Sequence, residues 1–171
     1  MKTQAFILVF IFMASVSMAQ TASHFKLVSS AFEGGKPIPP KYTCDGSNVS
    51  PALSWNGAPG TTKSFAIIMD DPDAPMGTWV HWVIYNIPGT VTSLEEKTNT
   101  TEIKAIDGLN NWGETGYNGP CPPDGAHQYV FKLYALDEML PPKKELTKEE
   151  LLEAMKGHIL AETTLTGLFR S

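Results

Sequence analysis

Two segments of the chain concentrate the side chains that could do chemistry: Asp70–Trp82 (DDPDAPMGTWVHW) and Gly119–Tyr129 (GPCPPDGAHQY). Each joins a proline-rich bend to one histidine and an apolar run typical of a β-strand. Proline fixes the backbone of a bend, and such bends hold polar side chains in place without regular structure. If the two bends meet, carboxylates, two imidazoles and a phenol converge on one pocket.

The first bend places two carboxylates, Asp71 and Asp73, directly after an apolar run that ends at Pro72. A hairpin between the flanking strands would bring His81 back toward Asp71. A carboxylate beside a histidine orients the ring and favours its charged form. The alternative is that both aspartates cap turns through their own backbone and that His81 is an ordinary core histidine.

The second bend leads into a strand on which His127 and Tyr129 are two residues apart. Side chains at that spacing point to the same face of a strand. An imidazole and a phenol on one face make a platform of hydrogen-bond donors. Apolar walls for such a pocket are available from four aromatic residues: Trp79, Trp82, Trp112 and Tyr117.

The first nineteen residues have the pattern of a secretory signal peptide, with Lys2, an apolar run from Ala5 to Val16 and small residues before Gln20. The alternative is an uncleaved anchor, although the run is short for a membrane-spanning helix. We therefore expect an exported protein, periplasmic if bacterial and otherwise secreted. Residues 20–171 then form one domain, with no transmembrane anchor.

Two cysteines, Cys44 and Cys121, occur in the chain. An even number of cysteines in an exported protein favours a disulfide. The alternatives are a free, reactive Cys121 thiol beside His127, or two buried thiols. The sequence does not decide between these three states.

The charge of the chain limits its partners. A formal net charge of −5 argues against nucleic acid, because no stripe of Lys and Arg is present to displace counterions. Arg170 is the one arginine, so a bidentate arginine clamp for an anion is nearly unavailable. Any bound anion must be held by His, Tyr, Lys or backbone N–H groups. No cofactor is indicated.

Short apolar runs separated by turn residues predict a mainly β protein built from antiparallel sheets. Strands are expected at 24–29, 63–69, 80–87, 128–136 and 164–169. One helix is predicted within Thr147–Ile159, because Thr147 and Glu150 match a capping box. Leu151, Met155 and Ile159 would share its apolar face with Leu152.

The two bends, together with YTCDGSNVSPALSW (Tyr42 to Trp55), resemble the phosphatidylethanolamine-binding protein (PEBP) family, closest to its prokaryotic-type Raf kinase inhibitor-like branch. The resemblance runs from about Phe25 to Phe169. It implies a sandwich-like fold of two antiparallel sheets with a small anion pocket at one end. The implied pocket residues are Asp71, His81, Pro123, His127 and Tyr129, with Asp73, Trp82 and Gly125 in support.

The resemblance also implies a function. Members of the family bind phosphate, phosphorylated head groups or acetate-like anions, and some inhibit or regulate other proteins. Many relatives have arginine after the second histidine, where this chain has Gln128, so we expect weaker anion binding or a shifted loop.

We therefore predict an exported small-anion-binding protein that acts as an inhibitor or regulator, without a metal. The alternatives are a hydrolase or acid–base enzyme using Asp, His and Tyr, and a metal site built from His81, His127 and an aspartate. The sequence leaves open the physiological ligand, the protein target and the oligomeric state, a dimer among the options.

Overall fold

The computed structural model describes residues 25–171. The predicted signal peptide, residues 1–19, lies outside this range. In chain order, the elements are β1 (Lys26–Ser29), a 3₁₀ turn (Pro40–Tyr42), β2 (Leu53–Asn56), β3 (Ser64–Asp71), β4 (Trp79–Pro88), β5 (Ser93–Leu94), β6 (Ile106–Asp107), β7 (Ala126–Leu136), α1 (Lys148–Ala154) and β8 (Ile159–Arg170). None of the helices within residues 25–171 has the length and apolar character needed to cross a bilayer.

The strands form two antiparallel sheets, which confirms the predicted fold class. The small sheet has the order β1-β2-β5, and the large sheet has the order β6-β4-β3-β7-β8. The main core lies between them, where Trp55 of the small sheet packs edge-to-face on Phe65 of β3 at 5.2 Å between ring centroids. Burial of such large apolar side chains is the main term that stabilises the fold.

Strand β3 is central and buried on both faces. Ile67 and Met69 face the core between the sheets, while Ile68 faces a second cluster on the outer side of the large sheet. Because side chains of a strand alternate between its two faces and both faces are buried, residues 65–69 are apolar without interruption. The sequence predicted a strand at 63–69, and β3 confirms it.

Helix α1 covers the second cluster with Leu151 and Met155. The Thr147 capping box is present in full, as predicted. The helix ends earlier than its apolar pattern suggested. Gly157 adopts a φ of +85°, which turns the chain out of the helix. Ile159 consequently begins strand β8 and is partly exposed instead of extending the helical face.

Candidate functional site

The two bends meet at one end of the large sheet and enclose a pocket of about 280 Å³. The register explains the meeting, since the end of β3 pairs with the start of β4 (Asp71 with Trp79) and with β7 (Asp70 with Val130). The residues lining the pocket are Asp71, Ala74, Pro75, Met76, Trp79, His81, Trp112, Cys121, Pro123 and His127.

An irregularity in strand pairing places His81 in this pocket. The β3–β4 register shifts between Met69, which pairs with Trp82, and Asp70, which pairs with Val80, so His81 has no partner on β3. A β-bulge of this kind re-aims side chains beside functional sites. In regular alternation His81 and Trp82 would face opposite ways. Here His81 packs on Tyr129, which belongs to the same core as Trp82.

A buried pair of Asp71 and His127 forms the polar floor of the pocket. Asp71 Oδ2 lies 2.8 Å from His127 Nδ1, and both side chains are almost fully buried. The other oxygen, Asp71 Oδ1, accepts the Asp73 backbone N–H at 2.9 Å. Asp71 therefore does both things that the sequence suggested, since one oxygen caps its turn and the other orients a histidine. The histidine that it contacts is His127, while His81 has a different partner.

The carboxylate of Asp73 joins the first bend to β7. Asp73 Oδ2 accepts the backbone N–H of Gln128 at 2.8 Å. This contact uses the main chain of residue 128, and the residue itself is exposed. Any residue other than proline can supply the same donor, so this bond between bend and strand does not depend on the glutamine side chain.

His81 is held by the second bend. Its Nδ1 lies 2.7 Å from the carbonyl oxygen of Asn118. A carbonyl can only accept, so Nδ1 carries the proton in this contact. Burial lowers the pKa of His81 below its ordinary value, while the backbone of Asn118 and Gly119 and the charge of Asp71 act in the opposite direction.

This lowered pKa predicts a pH-dependent stability. In the window between the lowered pKa of folded His81 and about 6.5, the unfolded chain binds more protons. The stability that depends on neutral His81 is therefore fully present above about pH 6.5, and it is lost as the pH falls through that window. Urea unfolding measured across the window should show a shallower pH slope for His81→Phe than for the wild type.

A matched control separates this effect from other histidines. His158 lies far along the chain, partly exposed and 3.0 Å from Asp137. In His158→Gln, the free energy of unfolding should still show the part of the pH dependence that His81→Phe removes. Equal slopes for the wild type and His81→Phe would contradict the assignment.

The loop that carries Asn118 is attached firmly to the segment 42–48. A disulfide joins Cys44 to Cys121. The Cys44 N–H donates to Pro120 O at 3.0 Å, and the Gly119 N–H donates to Asn48 Oδ1 at 2.8 Å. A Cβ on Gly119 would come within 2.3 Å of a backbone oxygen, so glycine is required at this close approach.

The remaining predicted residues lie around the pocket at different depths. Pro123 is on its wall, and Gly125, with a φ of +63°, makes the turn before β7. Tyr129 is fully buried beneath His81, with ring centroids 5.2 Å apart. Within residues 25–171 its hydroxyl has no hydrogen-bond partner, although Asp71 and the Cys121 backbone are close enough to influence it. Burial raises the pKa of Tyr129, so it stays a neutral phenol.

Trp82 lies in the core between the sheets, edge-on to Tyr117 at 5.6 Å, and does not line the pocket. Trp79 and Trp112 form the aromatic wall instead, with ring centroids 5.3 Å apart. The sequence reasoning missed the Asn118 carbonyl and three residues of the first bend that line the pocket: Ala74, Pro75 and the exposed Met76. A backbone acceptor leaves no signal in residue types, and Met76 could be placed only by the path of its loop.

The site does not group metal ligands. Within residues 25–171, no three His, Cys, Asp or Glu side chains are arranged to hold a metal ion. The pocket offers two histidines and one aspartate, and Asp71 is already engaged by His127.

Comparison with known proteins places this geometry in a family. The sequence profile described as phosphatidylethanolamine-binding protein matches residues 28–170. A UPF0098 protein of Methanothermobacter thermautotrophicus is 51% identical over 147 residues, covering 84% of this chain and 97% of its own length. A UPF0098 protein of Chlamydia muridarum is 48% identical over 149 residues, covering 84% of this chain and 97% of its own length.

Two crystal structures share the fold. The PEBP homologue CT736 of Chlamydia trachomatis superposes with a TM-score of 0.83 at 44% identity, covering 88% of this chain and 99% of its own. Escherichia coli YbcL, described as a member of the mammalian PEBP family, gives a TM-score of 0.80 at 32% identity with the same coverage. With a profile match over nearly all described residues and relatives this similar, the chain belongs to the phosphatidylethanolamine-binding protein family.

Proposed function

We propose that this protein binds a small anion, a phosphate monoester or a group of similar shape, in the pocket between His81 and His127. The observation that carries the proposal is the fixed orientation of the two imidazoles. Each ring uses Nδ1 for a protein acceptor, the Asn118 carbonyl for His81 and the Asp71 carboxylate for His127. In the hydrogen bonds of residues 25–171 neither ring uses Nε2, so each has that nitrogen left for a ligand.

The protonation of these rings decides what they bind. A neutral imidazole whose Nδ1 donates has an accepting Nε2, whereas a protonated one donates from both nitrogens. The lining residues include no Lys or Arg, and Asp71 contributes a negative charge. An anion consequently enters together with protons, which convert Nε2 into a donor and offset Asp71. Burial makes the resulting charge-assisted hydrogen bonds strong.

Proton-coupled binding predicts that affinity rises as the pH falls. For one proton taken up, the association constant increases by up to about tenfold per pH unit. Calorimetry should compare methyl phosphate with methyl sulfate between about pH 5 and 8, where histidines titrate. A phosphate monoester itself titrates near pH 6, whereas a sulfate ester keeps one charge. Any pH dependence of methyl sulfate binding therefore arises from protonation of the protein.

Variants assign the effect to the pocket. His81→Gln and His127→Gln should each weaken methyl phosphate binding at least tenfold at the acidic end of the range, because each removes one cationic donor. His158→Gln, which alters a histidine outside the pocket, should leave the affinity unchanged. An affinity that is flat with pH in the wild type, or insensitive to both pocket substitutions, would falsify the proposal.

We also propose that the protein acts after export. The pattern of residues 1–19 and the Cys44–Cys121 disulfide support this, since disulfides persist in oxidising compartments. Mass spectrometry of the fractionated protein should find a chain that begins at Gln20. We propose that any inhibition or regulation of a target protein follows from ligand binding in this pocket.

A second candidate function is acid–base hydrolysis, favoured by the hydrogen bond between Asp71 and His127. A carboxylate that orients an imidazole is the arrangement of a general base. The test is hydrolysis of p-nitrophenyl acetate and p-nitrophenyl phosphate by the wild type and Asp71→Asn. Turnover lost on this substitution would support catalysis, and equal rates would exclude this pair as the base.

A further inference from the structure

We propose that Cys121 is a site of reversible thiol modification inside the ligand pocket. The Cys44–Cys121 disulfide can be opened by thiol exchange without dismantling the pocket, and the released Cys121 thiol then lies where the ligand binds. The part of this proposal that concerns ligand protection rests on the proposed anion-binding function. The exposure of the thiol does not.

The disulfide is open to attack. Cys44 and Cys121 are both exposed residues, and Cys121 lies on the pocket wall with Pro123 and His127. Exchange begins when an external thiolate reaches one of the two sulfurs, so access is a first requirement. A disulfide buried in a core is not accessible to an external thiolate, whereas the Cys44–Cys121 disulfide is exposed.

The chemistry needs a thiol reductant, here a small dithiol. One thiolate of the dithiol attacks Cys44 Sγ, the S–S bond breaks, and Cys121 leaves as a thiolate that takes up a proton. The second thiol of the reductant then attacks the mixed disulfide and releases Cys44. Two electrons pass to the protein, and the dithiol becomes a cyclic disulfide.

The pocket survives this opening because other contacts join the same two segments. As described above, the Pro120 carbonyl accepts from the Cys44 N–H, and the Gly119 N–H donates to Asn48 Oδ1. Asn48 Nδ2 also donates to Asn118 Oδ1 at 3.2 Å. Tyr117 donates from its hydroxyl to Tyr42 O at 2.7 Å. These bonds keep Asn118 against His81, so the imidazoles keep their orientation when the disulfide is open.

The consequence is a pocket with two chemical states. In the oxidised state, the wall at Cys121 is an inert disulfide sulfur. In the reduced state, the same position carries a nucleophilic thiol in the pocket that His127 also lines, and this thiol can form mixed disulfides or react with electrophiles. A bound anion would cover Cys121 but not Cys44, which lies outside the pocket lining.

The test is alkylation with N-ethylmaleimide after reduction by dithiothreitol, with both cysteines followed by peptide mass spectrometry. Near-ultraviolet circular dichroism should report a retained fold. We expect Cys121 to be alkylated in the folded protein, at least fivefold more slowly with saturating methyl phosphate, while Cys44 is alkylated at the same rate with and without it. Cys44→Ser, which leaves Cys121 free without a reductant, should show the same protection. Cys121→Ser is the matched control and should show none.

Three results would overturn the proposal: an unreactive Cys121 in the folded, reduced protein; equal protection of both cysteines; or loss of the fold in both reduced wild type and Cys44→Ser. Calorimetry on the oxidised protein separates the two ideas. If methyl phosphate does not bind there, the anion-binding function fails, while alkylation of Cys121 without ligand still decides whether the thiol is released into an intact pocket.

Discussion

Replacing both Cys44 and Cys121 with serine is expected to lower the free energy of unfolding by about 4 kcal/mol, because the disulfide closes a long loop and restricts the unfolded chain. The two cysteines are 77 residues apart in sequence. Urea unfolding followed by tryptophan fluorescence measures the change. The folded structure should persist, since the hydrogen bonds between the two loops remain in place.

Reduction provides the matched control for this prediction. Dithiothreitol should destabilise the wild type by a similar amount and leave the double serine variant unaffected. A double variant as stable as the oxidised wild type would mean that the disulfide does not restrict the unfolded chain under these conditions.

Replacing Asp71 with alanine is expected to cost about 2–4 kcal/mol of stability and to abolish binding of methyl phosphate. The substitution leaves the buried Nδ1–H of His127 without an acceptor, and an unsatisfied buried donor alone costs about 1–3 kcal/mol. It also removes the acceptor that closes the turn at Asp73. His127 is then free to rotate away from the ligand, so the loss of binding follows from lost orientation.

Asp71→Asn separates geometry from charge. Its side-chain oxygen can still accept from His127 or from the Asp73 backbone, so the loss of stability should be smaller than for alanine. A double-mutant cycle of Asp71→Ala with His127→Ala should give a coupling of about 1–3 kcal/mol if the two side chains act as a pair. A coupling near zero would show that the 2.8 Å contact between Asp71 and His127 adds no stability beyond the separate effects of the two side chains.

Much of the fold could be predicted from local patterns. The apolar residues within 63–69 predicted a strand, and the structure has one there, buried on both faces. Thr147 and Glu150 predicted where the helix begins, because a capping box is a contact within four residues. Its end at Ala154 was not predicted, because the apolar spacing continued past the turn that Gly157 makes.

Three short strands were not predicted. Strands β2, β5 and β6 are too short to show a period of their own, and they form by pairing with neighbouring strands that are distant in sequence. The length of strand β8 was underestimated, because its first half is mostly exposed and lacks an alternating apolar pattern. Its extent follows from pairing with β7 from end to end.

The sequence by itself determined the chemistry of this protein: two proline-rich bends that carry Asp71, His81 and His127, a shortage of arginine, and a pair of cysteines. These are properties of residue types and short spacings, which can be read directly from the local sequence. The tertiary structure decided which groups contact each other. The bulge that turns His81 toward Tyr129, the choice of His127 as partner of Asp71, and the Asn118 carbonyl on His81 all depend on strand register and backbone position. Register is set by packing between residues distant in the chain, and a backbone acceptor has no residue type to reveal it.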